Sequence, residues 1–121
     1  MPKFGKRSLE RLATCHPDLQ IIAHELIKRM DVTVLCGYRG EEEQNEAFRR
    51  GASQLQYPES KHNQVPSRAI DLAPYPISWS DIPRFEKMLV FIKDIALEKD
   101  IKLRFGADFS FKDYPHIELV D

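Results

Sequence analysis

Pro17-Asp18-Leu19-Gln20-Ile21-Ile22-Ala23-His24-Glu25-Leu26-Ile27-Lys28-Arg29-Met30-Asp31-Val32-Thr33-Val34-Leu35-Cys36 changes its hydrophobic period once, and that change decides the fold class. Leu19, Ile22, Ala23, Leu26, Ile27 and Met30 recur at three- and four-residue steps, which makes one apolar stripe on a helix over residues 17–30. Pro17 suits the first turn of that helix. His24 lies off the stripe. Like His16, it reads as a polar-face or helix-start residue. Asp31 interrupts the pattern, and Val32-Thr33-Val34-Leu35-Cys36 then reads as a short buried strand. Gly37-Tyr38-Arg39-Gly40 is a turn.

Further along, residues 41–50 read as a second helix. Glu41, Glu42 and Glu43 fill its first turn and Arg49-Arg50 its last, signs that complement the helix dipole. Gly51 is a natural residue to follow its end. Residues 52–67 look like loop, and Arg68-Ala69-Ile70-Asp71-Leu72-Ala73 is a strand stopped by Pro74 and Pro76. Ser80 or Asp81 caps a third helix with Pro83 in its first turn. Phe85, Met88, Leu89, Ile92 and Ala96 form its stripe, widened by Val90, Phe91 and Ile95. Residues 101–105 and 116–120 read as two more strands, joined by a turn or hairpin. The order is α, β, α, β, α, β, β. It predicts an α+β domain, a small antiparallel sheet packed with about three helices.

The chain has 121 residues, a mass of 14.1 kDa, 42% hydrophobic and 31% charged residues, so one soluble globular domain over residues 1–121 is expected. Its formal charge of −1 implies no strongly basic face and argues against a nucleic-acid partner. No apolar run approaches a membrane span. The basic N-terminus is followed by no apolar stretch, so synthesis in the cytosol without a signal peptide is expected. Cys15 and Cys36 form no CxxC pair. They are either one disulfide or two buried thiols, the second reading suiting a reducing compartment.

His62, Asp71 and His116 stand out together. Two imidazoles and a carboxylate form a common catalytic zinc set with one position left open. Neighbouring strands bring opposed residues to about 5 Å, so pairing of the two strands sets His116 beside Asp71. Asp113-Tyr114-Pro115-His116 places a carboxylate three residues before a candidate ligand, where hydrolysis needs an acid/base. Arg39, on a turn after a buried strand, is placed to steady an oxyanion or a substrate carboxylate.

Each of these has a plainer reading. Asp113 is also a turn former, and Arg39 is also a partner for Glu41–Glu43. Glu118 shares a strand face with His116, either as an orienting carboxylate or as a surface residue. Ser60 has no triad context and reads as cleft lining. Asp108 reads as a turn residue, and Trp79 and Tyr75 as packing near a rim. The Glu triplet is read as helix-start electrostatics rather than as a metal site.

The stretch from Ser60-Lys61-His62 to Ala69-Ile70-Asp71 resembles the SxH…AxD zinc motif of the M15 peptidases, the VanY-like D-alanyl-D-alanine carboxypeptidase family. Asp113-Tyr114-Pro115-His116-Ile117-Glu118-Leu119 resembles the family's second motif. Gly37-Tyr38-Arg39 with Gln44, and Arg104-Phe105-Gly106-Ala107-Asp108-Phe109, resemble two further segments. The small phage endolysins of this family, L-alanyl-D-glutamate peptidases, are the nearest likeness.

The resemblance implies a hedgehog/DD-peptidase-like fold and one zinc ion on His62, Asp71 and His116. It implies Asp113 as catalytic acid/base, Arg39 in catalysis and substrate binding, and Gln44 and Ser60 as supporting substrate-site residues. The expected function is cleavage of an L-Ala–D-Glu bond in the peptidoglycan stem by a phage or prophage endolysin. Such a protein is expected to act as a monomer on the wall after holin-type release, without a separate wall-binding domain. A D,D-carboxypeptidase releasing terminal D-Ala is the alternative within hydrolases. A non-catalytic zinc-containing binding module is the alternative outside them.

Overall fold

A computed structural model describes residues 2–121. Among them, four α-helices and a four-stranded sheet follow the order α1 (Lys6–Leu12), α2 (Pro17–Ile27), β1 (Val32–Cys36), α3 (Glu41–Arg49), β2 (Ala69–Pro74), α4 (Ile82–Lys99), β3 (Leu103–Phe105) and β4 (His116–Leu119). Short 3₁₀ turns at Lys61–Asn63 and Gly106–Asp108 flank the functional segments. The sheet is antiparallel in the order β1-β2-β4-β3. The α+β class with a small antiparallel sheet therefore stands.

The core lies between the sheet and the helices α2 and α4. Leu19, Ile22, Ala23, Leu26 and Ile27 face it from α2, and Phe85, Met88, Leu89, Ile92, Ile95 and Ala96 from α4. Val90 was expected to widen the α4 stripe. It is exposed instead, and Phe91 only packs against the core edge. The helix thus buries one face rather than most of its circumference. Asp81 caps α4 by accepting from the Arg84 amide at 3.3 Å, as the sequence suggests. Gly51 takes a positive φ of 78° just after α3, the conformation for which glycine is suited.

The helix α1 was not foreseen. Its seven residues carry no apolar stripe, and Leu9 is exposed while Leu12 is buried. It is held by polar bonds to the outer edge of β1. The Val34 amide donates to Ser8 Oγ at 3.0 Å, Arg11 Nη1 donates to the Val34 carbonyl at 3.0 Å, and Ser8 Oγ pairs with Thr33 Oγ1 at 3.1 Å. These bonds occupy backbone groups that an edge strand would otherwise leave open.

The pairing of β1 with β2 contains an irregularity that matters for the site. Val34 opposes Leu72, but the next paired residue is Cys36, opposite Asp71. One extra residue, Leu35, is accommodated as a β-bulge, a device that re-aims side chains. On the other side of β2, Asp71 opposes His116 of β4. Both cysteines are free. Cys15 is buried, but Cys36 is only partly so, which corrects the expectation of two buried thiols.

Candidate metal centre

Three of the residues singled out from the sequence meet at one point. His62 Nε2 lies 3.2 Å from Asp71 Oδ1 and 3.2 Å from His116 Nδ1. His116 Nδ1 lies 3.3 Å from the same Asp71 oxygen. The strand register supplies the Asp71–His116 neighbourhood, and the 3₁₀ turn at Lys61–Asn63 swings His62 in over it.

The outer nitrogen of each imidazole is already used. His62 Nδ1 donates to the Gly37 carbonyl at 2.8 Å, which can only accept. His116 Nε2 donates to Glu118 Oε1 at 2.8 Å. Both bonds turn a ring lone pair toward the Asp71 carboxylate. Three acceptor atoms facing one another repel unless a cation lies among them. A tetrahedral ion with ligand bonds of about 2.0–2.1 Å separates its donor atoms by roughly 3.3 Å, so the triangle fits zinc without rearrangement.

The electrostatics agree. Burial disfavours a charged His62, yet the Asp71 carboxylate outweighs it and pushes the imidazole up to about 10. Asp71 itself is held well below the usual carboxylate range. Burial opposes this, but the charges and hydrogen bonds of His62 and His116 prevail. His116 is raised as well, against its burial, by Asp71 and Glu118. The pocket therefore attracts positive charge strongly.

Asp113 borders the same cleft as the triangle, an opening of about 1000 Å³ also lined by Trp79, Arg104, Phe111 and Lys112. Burial, and then the Asp71 charge, raise the Asp113 carboxyl above its ordinary range. Its position depends on Gly106. The Asp113 amide donates to the Gly106 carbonyl at 2.9 Å, and a Cβ on Gly106 would stand 2.2 Å from the Asp113 carbonyl oxygen and 2.8 Å from His116 Cβ. Only a glycine lets this turn pass so close.

Arg39 also lines the cleft. Its Nη2 is 3.6 Å from Asp71 Oδ2, and its Nη1 donates to Gln44 Oε1 at 3.1 Å. Gln44 is fully buried and donates to Ser53 Oγ at 2.9 Å and to the Leu55 carbonyl. It therefore acts beneath Arg39, as a brace, rather than at the cleft surface. Ser60 is similarly a cap: its Oγ accepts from the His62 amide at 3.2 Å and its amide donates to Asn63 Oδ1 at 3.0 Å.

Asn63 was missed from the sequence. Its Nδ2 donates to the Arg39 carbonyl at 2.9 Å, tying the His62 turn to the Arg39 turn. The Ser-x-x-Asn spacing resembles a capping box, which the structure forms, and is the signal that could have found it. Trp79 is exposed at the cleft rim and stacks on Phe85 at 6.0 Å. Glu41–Glu43 occupy the first turn of α3, as the dipole reading holds.

Glu118 is buried and anchors His116, while Lys61 and Arg104 approach its other oxygen at 3.8 and 3.6 Å. Replacing it with glutamine keeps the shape but weakens the acceptor. If the triangle holds a divalent ion, a Glu118→Gln variant is expected to bind it about 10–100-fold more weakly, as read by competition with a chromogenic chelator. Unchanged affinity would reduce Glu118 to a structural ion-pair partner.

A model of the family described as phage L-alanyl-D-glutamate peptidase matches residues 1–120. The L-alanyl-D-glutamate peptidase of Escherichia phage T5 is 35% identical over 122 residues, covering 97% of this chain and 88% of that protein. Among solved structures, the Serratia marcescens L-Ala D-Glu endopeptidase ChiX superposes with a TM-score of 0.82. It is 27% identical, and the match covers 98% of this chain and 90% of that one.

Proposed function

The chain belongs to the phage L-alanyl-D-glutamate peptidase family, and from that premise we propose that His62, Asp71 and His116 hold one zinc ion with which Asp113 and Arg39 hydrolyse the L-Ala–D-Glu bond of the peptidoglycan stem. The protein is a peptidoglycan L-Ala–D-Glu endopeptidase of the phage endolysin type. The observation that carries the zinc assignment is the triangle of acceptor atoms with 3.2–3.3 Å edges, each imidazole already committed on its far nitrogen.

Zinc held by His62, Asp71 and His116 would supply polarisation of the scissile carbonyl and acidification of the attacking water. Asp113 accepts the proton of the attacking water and then delivers it to the departing D-Glu amine. Its place in the cleft, close enough to Asp71 to feel its charge, supports this role. Arg39 faces the alanyl carbonyl oxygen as charge builds there, or the free carboxylate of the D-Glu residue. Gln44 fixes the guanidinium from below, and Ser60 with Asn63 fixes the His62 turn. Catalysis resides in the single unit over residues 2–121, with the cell wall as its place of action.

Digestion of purified peptidoglycan, followed by mass spectrometry of the fragments, tests the bond assignment. New D-Glu N-termini are expected. Release of free D-Ala instead would mark a D,D-carboxypeptidase, and intact stems at full zinc loading would mark a binding module.

The acid/base role carries its own titration signature. In metal-free protein, burial and Asp71 disfavour a negative Asp113, so its carboxyl should titrate above the ordinary value of 3.8. Zinc brings positive charge to the site and cancels that of Asp71, so loading should move the titration downward. Asp113 acts as base only when ionised, so activity persists above this pKa and is lost as pH falls through it. Carbon-13 NMR of the Asp113 carboxyl, with and without zinc, reads both values. A titration insensitive to zinc would separate Asp113 from the metal.

A further inference from the structure

Trp79, the single tryptophan of the chain, lines the same cleft as Asp113 and the metal triangle. It is 60% exposed, yet its ring lies within 17° of parallel to that of the buried Phe85, at 6.0 Å. One face of the indole is therefore spent on the core, and exposure of this size leaves the other face to solvent. The loop that carries it is tied down. Arg84 Nη1 donates to the Pro76 carbonyl at 2.8 Å, and the Asp81 amide donates to the Ser78 carbonyl at 3.1 Å. Phe85 in turn meets Tyr114, the neighbour of Asp113, at 6.2 Å. The hydrolysis described above makes no use of the outer indole face.

The strand register indicates which end of the substrate passes there. Asp71 and His116 form one row across the sheet. Beyond that row β2 runs on to Pro74 and leads to Trp79, whereas the exposed Arg104 lies on the other side, in the row of Ala69 and Glu118. The D-Glu side of the scissile bond carries carboxylates, which suit the arginine end. On the L-Ala side the alanine amine is acylated by the lactyl group of an N-acetylated amino sugar. Alanyl and lactyl units together span about two residue lengths, roughly 7 Å, so a pyranose ring follows just outside the catalytic centre. One face of a pyranose presents C–H bonds with slight positive charge, which match the negative face of an indole.

We propose that the outer face of Trp79 is a sugar subsite that stacks on the muramyl ring of a glycan-attached stem. The inference rests on the L-Ala–D-Glu endopeptidase reading and deepens it, because the enzyme then prefers stems still joined to glycan over released peptides.

Two substrates separate this subsite from the catalytic centre: a stem tripeptide on the GlcNAc–MurNAc disaccharide, and the same tripeptide on a lactoyl group alone. Zinc-loaded wild-type protein should favour the disaccharide substrate about five- to tenfold in kcat/KM, mainly through KM, the size of one stacked aromatic contact. Trp79→Ala should lose that preference and keep its rate on the sugar-free peptide, while Trp79→Phe should retain most of it. Equal losses on both substrates, or an undiminished preference in Trp79→Ala, would overturn the subsite. Tryptophan emission of the unaltered protein gives a second readout, with Trp79 as its only source. N-acetylmuramyl-L-alanine should shift the emission saturably, and N-lactoyl-L-alanine should not. The same response to both compounds, or to neither, would overturn the subsite. Failure of wild-type protein to cleave either substrate would overturn the endopeptidase reading as well.

Discussion

Asp113→Ala is expected to leave zinc bound and to stop the release of D-Glu N-termini from muropeptides. The variant removes the proposed acid/base while leaving all three proposed ligands in place. Positioned proton transfer contributes about 10²–10⁴-fold to hydrolysis, and the loss should fall in that range. The shift of the Asp113 carboxyl comes from burial and neighbouring charges rather than from a hydrogen bond, so its removal breaks no bonded network. Thermal unfolding should therefore change little. Metal analysis of the purified variant and a rate measurement on soluble muropeptide together decide it. Wild-type rates at full zinc occupancy would remove Asp113 from the reaction, and loss of zinc along with activity would make it a ligand instead.

His62→Ala should produce the second large effect, loss of metal and activity together. His62 is 2% exposed and ties three parts of the site together. It reaches Gly37 through Nδ1, Asp71 and His116 through Nε2, and the Arg39 amide through its own carbonyl at 2.8 Å. Its removal leaves one imidazole and one carboxylate, too few to hold zinc in a catalytic geometry. Wild-type protein should melt higher with zinc than without, because a ligand that binds only the folded state stabilises it. A hundredfold excess of zinc over its dissociation constant corresponds to about 2.7 kcal/mol. In His62→Ala this zinc-dependent rise should vanish, with circular dichroism showing that the fold survives. A retained zinc-dependent rise would mean that the ion sits elsewhere.

Much of this arrangement was legible because it depends on local periodicity. The stripe from Leu19 to Ile27 and the run from Val32 to Cys36 became α2 and β1, with only the last turn of the helix falling short. The Asp71–His116 contact followed from pairing two recognisable strands. What escaped were features whose cause lies elsewhere in the chain. Helix α1 exists through bonds from Ser8 and Arg11 to β1, and no stripe announces it. Cys36 was read as a buried thiol because the inserted Leu35 alters the register only once β2 lies alongside. Val90 was placed inward by composition, but the sheet covers just one side of α4. Gln44 is legible as a supporting residue, but that its support runs through Arg39 follows only from the packing of α3 against the loop through Ser53 and Leu55.

The bonds between the turn at Gly37–Arg39 and the segment at His62–Asn63 run in both directions. The His62 ring and the Asn63 amide donate one way, and the Arg39 amide donates the other. The guanidinium that would meet the substrate and an imidazole that would grip the ion thus ride on a single yoke. Whatever tilts one during turnover carries its companion along. The span between the two charges is built into the scaffold before any wall fragment arrives, and a fragment spends none of its binding on assembling them.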